Sequence, residues 1–166
     1  AGVLDAEIDQ IRDLGVDFQA NTVIGQTLTI DDLFKQGFSA VLLTVGKSYP
    51  QFLDLSGSDS PGVFYAQELL LKLKFNPAVF AHEFGGKLGR KVLIIGNSGL
   101  ALDCARVCRR LDKEVSIVFP GTEEELGIHR NELAQACEEG VALETMVVPL
   151  AVETDDRDQV TGLKCR

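Results

Sequence analysis

The sequence is short of positive charge: 16 lysines and arginines stand against 25 aspartates and glutamates, for a formal net charge of -9 and a pI near 4.7. An acidic surface repels phosphate backbones and anionic headgroups, so nucleic acid and membrane are excluded as partners. No apolar run approaches the roughly 20 residues that a membrane helix needs, and the start lacks a basic stretch followed by an apolar one. A cytoplasmic location is expected. The four cysteines, Cys104, Cys108, Cys137 and Cys165, include no CxxC pair. Cys104 and Cys108 share a helix face at i, i+4, a spacing that would serve a metal if His129 came near, but that small residues packed against a sheet produce more often. No metal ligand is assigned. There are only two histidines; His82 and His129 read as surface or packing residues, and no catalytic residue is assigned. Internal repeats and low-complexity tracts are absent.

What remains describes an ordinary folded domain, or pieces of two. The 166 residues, 45% hydrophobic and 25% charged, are enough to bury a core. Val3, Leu4, Ile8, Ile11 and Leu14 recur at threes and fours, which predicts an amphipathic helix stopped by Gly15. Val16 to Thr22 alternates and predicts a strand, with a turn or short hairpin in VIGQTLT. Thr29 caps a short helix, with Asp32 three residues on and Gly37 closing it. Phe38 to Gly46 is an apolar run bounded by glycine and reads as a buried parallel strand. Lys47 to Gly62, with Pro50, Gly57 and Pro61, is expected to be loop, and VFYAQELLLKLKF a helix ending near Phe75. Asn76 to Gly89, with Pro77, His82, Gly85, Gly86 and Gly89, is the expected domain connection. The chain opens with a helix already under way by Leu4 and stops at Arg166 just after a strand, as an excised piece of a longer polypeptide would.

The stretch KVLIIGNSGLALDCARVCRRLDKEVSIVFPG, Lys91 to Gly121, reads as strand, tight turn, helix and second strand. A pyrophosphate settles at such a helix N-terminus because the first amides there are unpaired and the helix dipole is positive. Gly96 makes the turn, Ser98 and Gly99 make the closest approach, and Ala101 is small enough for the helix to pack on the strand. The predicted nucleotide contacts are therefore Gly96, Asn97, Ser98, Gly99, Leu100 and Ala101. Ser98 stands where the second fingerprint glycine belongs. At the end of the second strand Phe119, Pro120 and Gly121 supply neither the acid that reads an NAD ribose nor the arginine that reads an NADP phosphate. Phe119 and Arg130 are taken as contacts there, with Arg109 or Arg110 as alternative cations. Beyond this unit, TEEELGIHRNELAQACEEG predicts one helix, or two broken at Gly127, capped by Thr122. VALETMVVPLAVETDDRDQVTGLKC predicts two strands joined by the acidic turn Asp155 to Asp158. The alternation of strand and helix predicts an α/β fold with a Rossmann-like, mostly parallel sheet.

Taken together, VLDAEIDQIRDLGVDFQANTVIGQTLTIDDL, FSAVLLTVGKSYPQFLDLSGSDSPGVFYAQELL, KVLIIGNSGLALDCAR, EVSIVF, TEEELGIHRNELAQACEEGV and VTGLKC resemble, in order and spacing, a central region of the glutamate synthase small (beta) subunit-like oxidoreductases. These are FAD- and NAD(P)H-dependent enzymes of the pyridine nucleotide-disulfide oxidoreductase type, related to the front part of dihydropyrimidine dehydrogenase. The resemblance implies a partial FAD-domain segment over 1–85 and a C-terminally truncated NAD(P)-binding domain over 86–166. It further implies flavin contacts at Thr44 and Gly46, and electrons passing from NAD(P)H to FAD and on to iron–sulfur clusters in another part of the polypeptide or a larger subunit. Three departures accompany it. The family's Ala-Thr-Gly turn reads Thr44-Val45-Gly46, and its paired arginines after the second strand are Pro120 and Gly121. Its FAD glycine fingerprint, its Gly-Asp flavin motif and its cysteine-rich iron–sulfur segment are absent. FAD therefore belongs to the full-length parent, and the chain alone is expected to be inactive. The alternative is a degenerate, non-catalytic Rossmann-like module serving subunit interaction.

Overall fold

The computed structural model describes residues 2–46, 53–76, 78, 80, 82, 84 and 86–166. Lys47, Ser48 and Pro50 of the expected loop, and Pro77 and Gly85 of the expected connection, lie outside the described residues. The chain divides into two compact units, Ala1–Ser48 and Tyr49–Arg166.

The first unit is built from local signals. Helix α1 (Gly2–Asp13) follows the predicted periodicity, with Arg12 paired to Asp9 at 3.0 Å and Gly15 ending it at φ +87°. Helix α2 (Ile30–Lys35) is closed by the expected reciprocal cap: the Asp32 amide donates to Thr29 Oγ1 at 3.1 Å, and the Thr29 amide to Asp32 Oδ2 at 3.2 Å. Between the helices the Val23 amide donates to Thr27 Oγ1 at 2.7 Å, forming the expected turn. The two strands expected here do not form. Val16 to Thr22 and Phe38 to Gly46 are irregular, because a strand exists only by pairing and no described segment of this unit pairs with either. Leu42, Leu43 and Val45 are consequently 88, 59 and 73% exposed.

The second unit holds the core. Helix α3 (Ala66–Phe75) inserts Leu69, and behind it the rings of Phe64, Phe80 and Phe84 meet at centroid distances of 5.1 and 5.4 Å. Strand β1 (Lys91–Ile95), helix α4 (Gly99–Arg110), strand β2 (Glu114–Val118), helix α5 (Arg130–Glu138) and strand β3 (Val141–Glu144) follow in order. The strands form a parallel sheet ordered β1-β2-β3, as the strand–helix alternation predicts. Its register aligns Ile94 with Ile117 and Ile117 with Leu143, so one apolar row faces the helices. Ala101, Leu102, Cys104, Ala105 and Cys108 form the buried stripe of α4, and Ala105, Cys108 and Ile117 are wholly inaccessible. The cysteine pair is thus part of this packing, and burial together with the Cys108 contact pushes the Cys104 thiol upward in pKa, with the contact the larger cause. Among the described residues strand β1 lies at the edge of the sheet, with Leu93 50% exposed.

The C-terminal segment differs from expectation by one strand. Its first part joins the parallel sheet as β3, and the chain then turns at Met146, φ +59°, before β4 (Pro149–Thr154) and β5 (Val160–Cys165) make an antiparallel hairpin. The acidic turn between them is as predicted: Asp155 Oδ1 accepts the amides of Arg157 and Gln159, each at 2.9 Å. The hairpin receives the loop ahead of α3, where the Val152 amide donates to Ser56 O at 2.8 Å. Gly57 sits at φ +81° with its missing Cβ only 2.7 Å from Val152 O. Two constraints coincide there, the left-handed backbone and the close carbonyl.

At the far end of α4, Arg106 donates through Nε and Nη2 to Glu139 Oε1 at 3.0 and 2.6 Å, and Arg110 reaches the same oxygen at 3.2 Å. The Arg106 guanidinium holds the Glu139 carboxyl below its ordinary range, against the opposing effect of burial and with help from Arg110.

Two outcomes follow from this packing. Gly57→Ala is expected to destabilise the fold by on the order of 1–3 kcal/mol; an unchanged urea midpoint would count against the close contact. Glu139, whose folded pKa lies below its unfolded value of about 4.3, stabilises the fold above that pH and loses its contribution as pH falls through the folded value. Glu139→Gln should therefore lower stability at pH 7 and decline less steeply than the parent between about pH 5 and 3. Parallel denaturation profiles for the two proteins would contradict this.

Candidate functional site

Parallel strands direct their carboxyl ends to one edge of the sheet, and here that edge gathers Gly96 after β1, Phe119 after β2 and Glu144 at the end of β3. Ligands of open α/β sheets bind in the crevice outside such an edge. The Gly96 amide donates to Val118 O at 3.3 Å, which carries the parallel pairing one residue beyond β1 before the chain enters α4. A Cβ on Gly96 would stand 3.2 Å from Ala101 Cβ, so the turn and the helix touch with almost no side chain between them.

Ser98 is the N-cap of α4, extended at φ -115° and ψ 165°, and its hydroxyl makes no capping bond. Its carbonyl accepts the amides of Ala101 at 3.0 Å and Leu102 at 3.2 Å. Asn97, Ser98, Gly99 and Leu100 are exposed, while Ala101 is 5% exposed. A Cβ on Gly99 would meet nothing within 4 Å, so open space lies beside the helix terminus. This arrangement suits an anion: exposed backbone at the positive end of a twelve-residue helix, with small residues lining the approach.

The second wall of the crevice is the segment after β2. Phe119 extends the pairing beyond the strand, its amide donating to Glu144 O at 3.0 Å and its carbonyl accepting Val147 N at 3.2 Å. The expected helical acids form a single 3-10 turn, Glu123–Glu125, separated from α5 as the glycine at 127 foretells. The Thr122 amide donates to Glu125 Oε2 at 2.8 Å. From there the chain runs back to the glycine turn, where the Gly127 amide donates to Asn97 O at 3.0 Å and Ser98 bridges Gly127. Sequence reading treats Gly127 only as a helix break and misses this tie. The Thr-x-x-Glu spacing at Thr122 and Glu125 is the signal that fixes the local turn, but nothing in it shows that the carboxylate folds back over Gly121.

The predicted contacts distribute as follows. Gly96, Asn97, Ser98, Gly99, Leu100 and Ala101 are one continuous turn, and Phe119 lies at the same sheet edge. Arg130 is the first residue of α5 and is exposed. Its charge helps to hold the Glu124 carboxyl below the ordinary range, after the larger effects of Glu124's own amide and the Thr122 hydroxyl. Arg109 and Arg110 cannot serve the turn. They occupy the last turn of α4, roughly 15 Å along the axis from its N-terminus, where Arg109 binds Glu139 O at 3.0 Å and Arg110 binds the Glu139 carboxylate. Thr44 and Gly46 belong to the first unit, exposed on the irregular segment, Gly46 at φ +66°. Their neighbours Leu43 and Val45 line an open hollow of about 470 Å³ with Ile24, Thr29 and Ile30. Among the described residues no helix is long and apolar enough to cross a membrane.

No family model matches the chain. Individual proteins do. The NADPH-Fe(3+) oxidoreductase subunit beta of Geobacter sulfurreducens is 32% identical over 98% of this chain and 24% of that protein. The NADPH glutamate synthase small chain of Escherichia coli is 30% identical over 91% of this chain and 33% of the relative. The NAD-dependent dihydropyrimidine dehydrogenase subunit PreT of Escherichia coli O157:H7 is 34% identical over 91% and 35%. The chain thus spans about a quarter to a third of the length of these relatives. Among solved structures, 2-naphthoyl-CoA reductase in complex with 2-naphthoyl-CoA superposes with a TM-score of 0.64 at 20% identity, over 95% of this chain and 22% of that one, which speaks to the fold alone.

Proposed function

The chain belongs to the family of the glutamate synthase small chain and its oxidoreductase relatives, as a region homologous to part of them, and from that premise we propose that it binds a nicotinamide dinucleotide at the Gly96–Ala101 turn. The observation that carries this reading is the strand–turn–helix unit at the carboxyl edge of a parallel sheet, with Gly96 against Ala101 and exposed backbone at the start of α4. The residues fit the group: the helix terminus would hold the pyrophosphate, and the crevice between that turn and the segment after β2 would take the adenosine. Phe119 and Arg130 are the side chains offered on that second wall.

Gly96 to Ala101 would hold the nucleotide, and the reduced nicotinamide would supply hydride chemistry for a flavin and iron–sulfur clusters carried by the rest of the larger protein. The role of this chain is to fix the nucleotide by its phosphates and ribose so that the nicotinamide reaches outward. The proposed organisation keeps 86–166 as the nucleotide-binding part and 1–85 as a flavin-domain segment and connection. Thr44 and Gly46 would touch flavin only in the presence of the rest of that domain, because neither stands at a helix N-terminus that could hold its pyrophosphate. The partners are accordingly other parts of the polypeptide or a larger oxidoreductase subunit.

A second reading, a module kept for subunit contact without nucleotide, draws on the exposed Leu42, Leu43 and Val45. Calorimetric titration of the purified chain with NADH separates the two. Saturable binding is expected, reduced at least tenfold by Gly96→Val, which crowds Ala101, and by Gly99→Asp, which adds a negative charge in open space and leaves the packing alone. Absence of binding, or binding indifferent to both substitutions, would favour the contact module.

A further inference from the structure

Resting on that nucleotide-binding reading, we infer that the site selects NADH and rejects NADPH, and that Glu125 is the residue that discriminates. The end of the second strand is where a dinucleotide fold reads the adenosine ribose. In this chain that place is filled by an acid the linear order conceals. A Cβ built on Gly121 would lie 2.5 Å from Glu125 Oε2 and 2.6 Å from the Phe119 ring, so the volume that a side chain at 121 would enter is held by a carboxylate and an aromatic edge. The Thr122 amide, 2.8 Å from the same oxygen, fixes the carboxylate in that position. Glu125 is exposed, as are Glu123 and Glu124 beside it.

Charge is sorted along the strands in the same sense. Arg90 and Lys91 lie at the amino end of β1, Lys113 lies just before β2, and Arg106, Arg109 and Arg110 lie in the C-terminal half of α4, which returns to that end. Arg90 is engaged by Glu114 at 2.7 Å, Lys113 by Leu88 O at 3.1 Å, and Arg106 and Arg110 by Glu139. Between Arg90 and Glu144, Arg130 is the remaining cation among the described residues, and its field falls on Glu124. A ribose 2′-phosphate carries a charge of about -1.5 to -2 and would meet the three exposed carboxylates Glu123 to Glu125 against the single guanidinium of Arg130, so the balance of charge there opposes it. A ribose bearing only hydroxyls would instead donate to Glu125, as it does to the acid of NAD-binding folds.

The test is parallel calorimetric titration of the full chain with NADH and NADPH, repeated for Gly99→Asp and Glu125→Gln. The glutamine keeps an acceptor for the Thr122 amide and so preserves the turn. NADH is expected to bind about tenfold or more tighter than NADPH at low ionic strength, with the gap narrowing as salt screens the repulsion. Glu125→Gln is expected to shrink the gap several-fold. Equal or tighter binding of NADPH, still lost in Gly99→Asp, would overturn the selectivity and leave nucleotide binding standing. An unchanged ratio in Glu125→Gln would overturn the assignment to that residue. Silence toward both nucleotides would overturn the nucleotide-binding reading itself, and this inference with it.

Discussion

The contact between Gly96 and Ala101 sets the distance between β1 and α4, and most of the second unit is arranged by it. With only a methyl group between turn and helix, α4 lies low enough on the sheet for Ala105 and Cys108 to be sealed completely against Ile117 and its neighbours. Larger side chains at those positions would lift the helix and open a gap along its length. At the same terminus Gly99 and Leu100 stay exposed at the sheet edge while Ala101 and Leu102 are buried. Packing and ligand geometry therefore meet at one terminus, and a substitution at Gly96 acts on both.

Where structure is decided by neighbours in the chain, the sequence is a good guide. The caps at Thr29 and Thr122, the turn at Asp155 and the strand–glycine–helix order are short-range hydrogen-bonding arrangements, and each forms. Val16 to Thr22 and Phe38 to Gly46 show the opposite case. Their alternation and apolar content meet the side-chain requirement for a strand, but the backbone requirement is a partner at hydrogen-bonding distance, and composition is silent about partners. The division between β3 and β4 was hidden for a related reason: Met146 adopts φ +59°, a conformation that methionine does not advertise.

The candidate site divides along the same line. Gly96 to Ala101 is legible because it is continuous. The opposite wall depends on how a turn folds back, so the placement of Glu125 over Gly121 and the tie from Gly127 to Asn97 emerge only in three dimensions. Likewise, Arg109 and Arg110 look available as charges in a string of letters. Their position two to three turns along a helix, and their bonds to Glu139, remove them from the crevice.

The marginal place of β1 carries a different implication. In most parallel sheets the first strand of such a unit would be flanked on both sides, since unpaired amides and carbonyls along an edge recruit any extended segment that comes near. Among the described residues β1 pairs with β2 alone, and Leu93 turns half its surface outward beside that open row. Handled in isolation at high concentration, the chain is consequently prone to strand addition between copies, and a lysine in place of Leu93 would blunt that adhesive edge while leaving the helix-covered face of the sheet as it is.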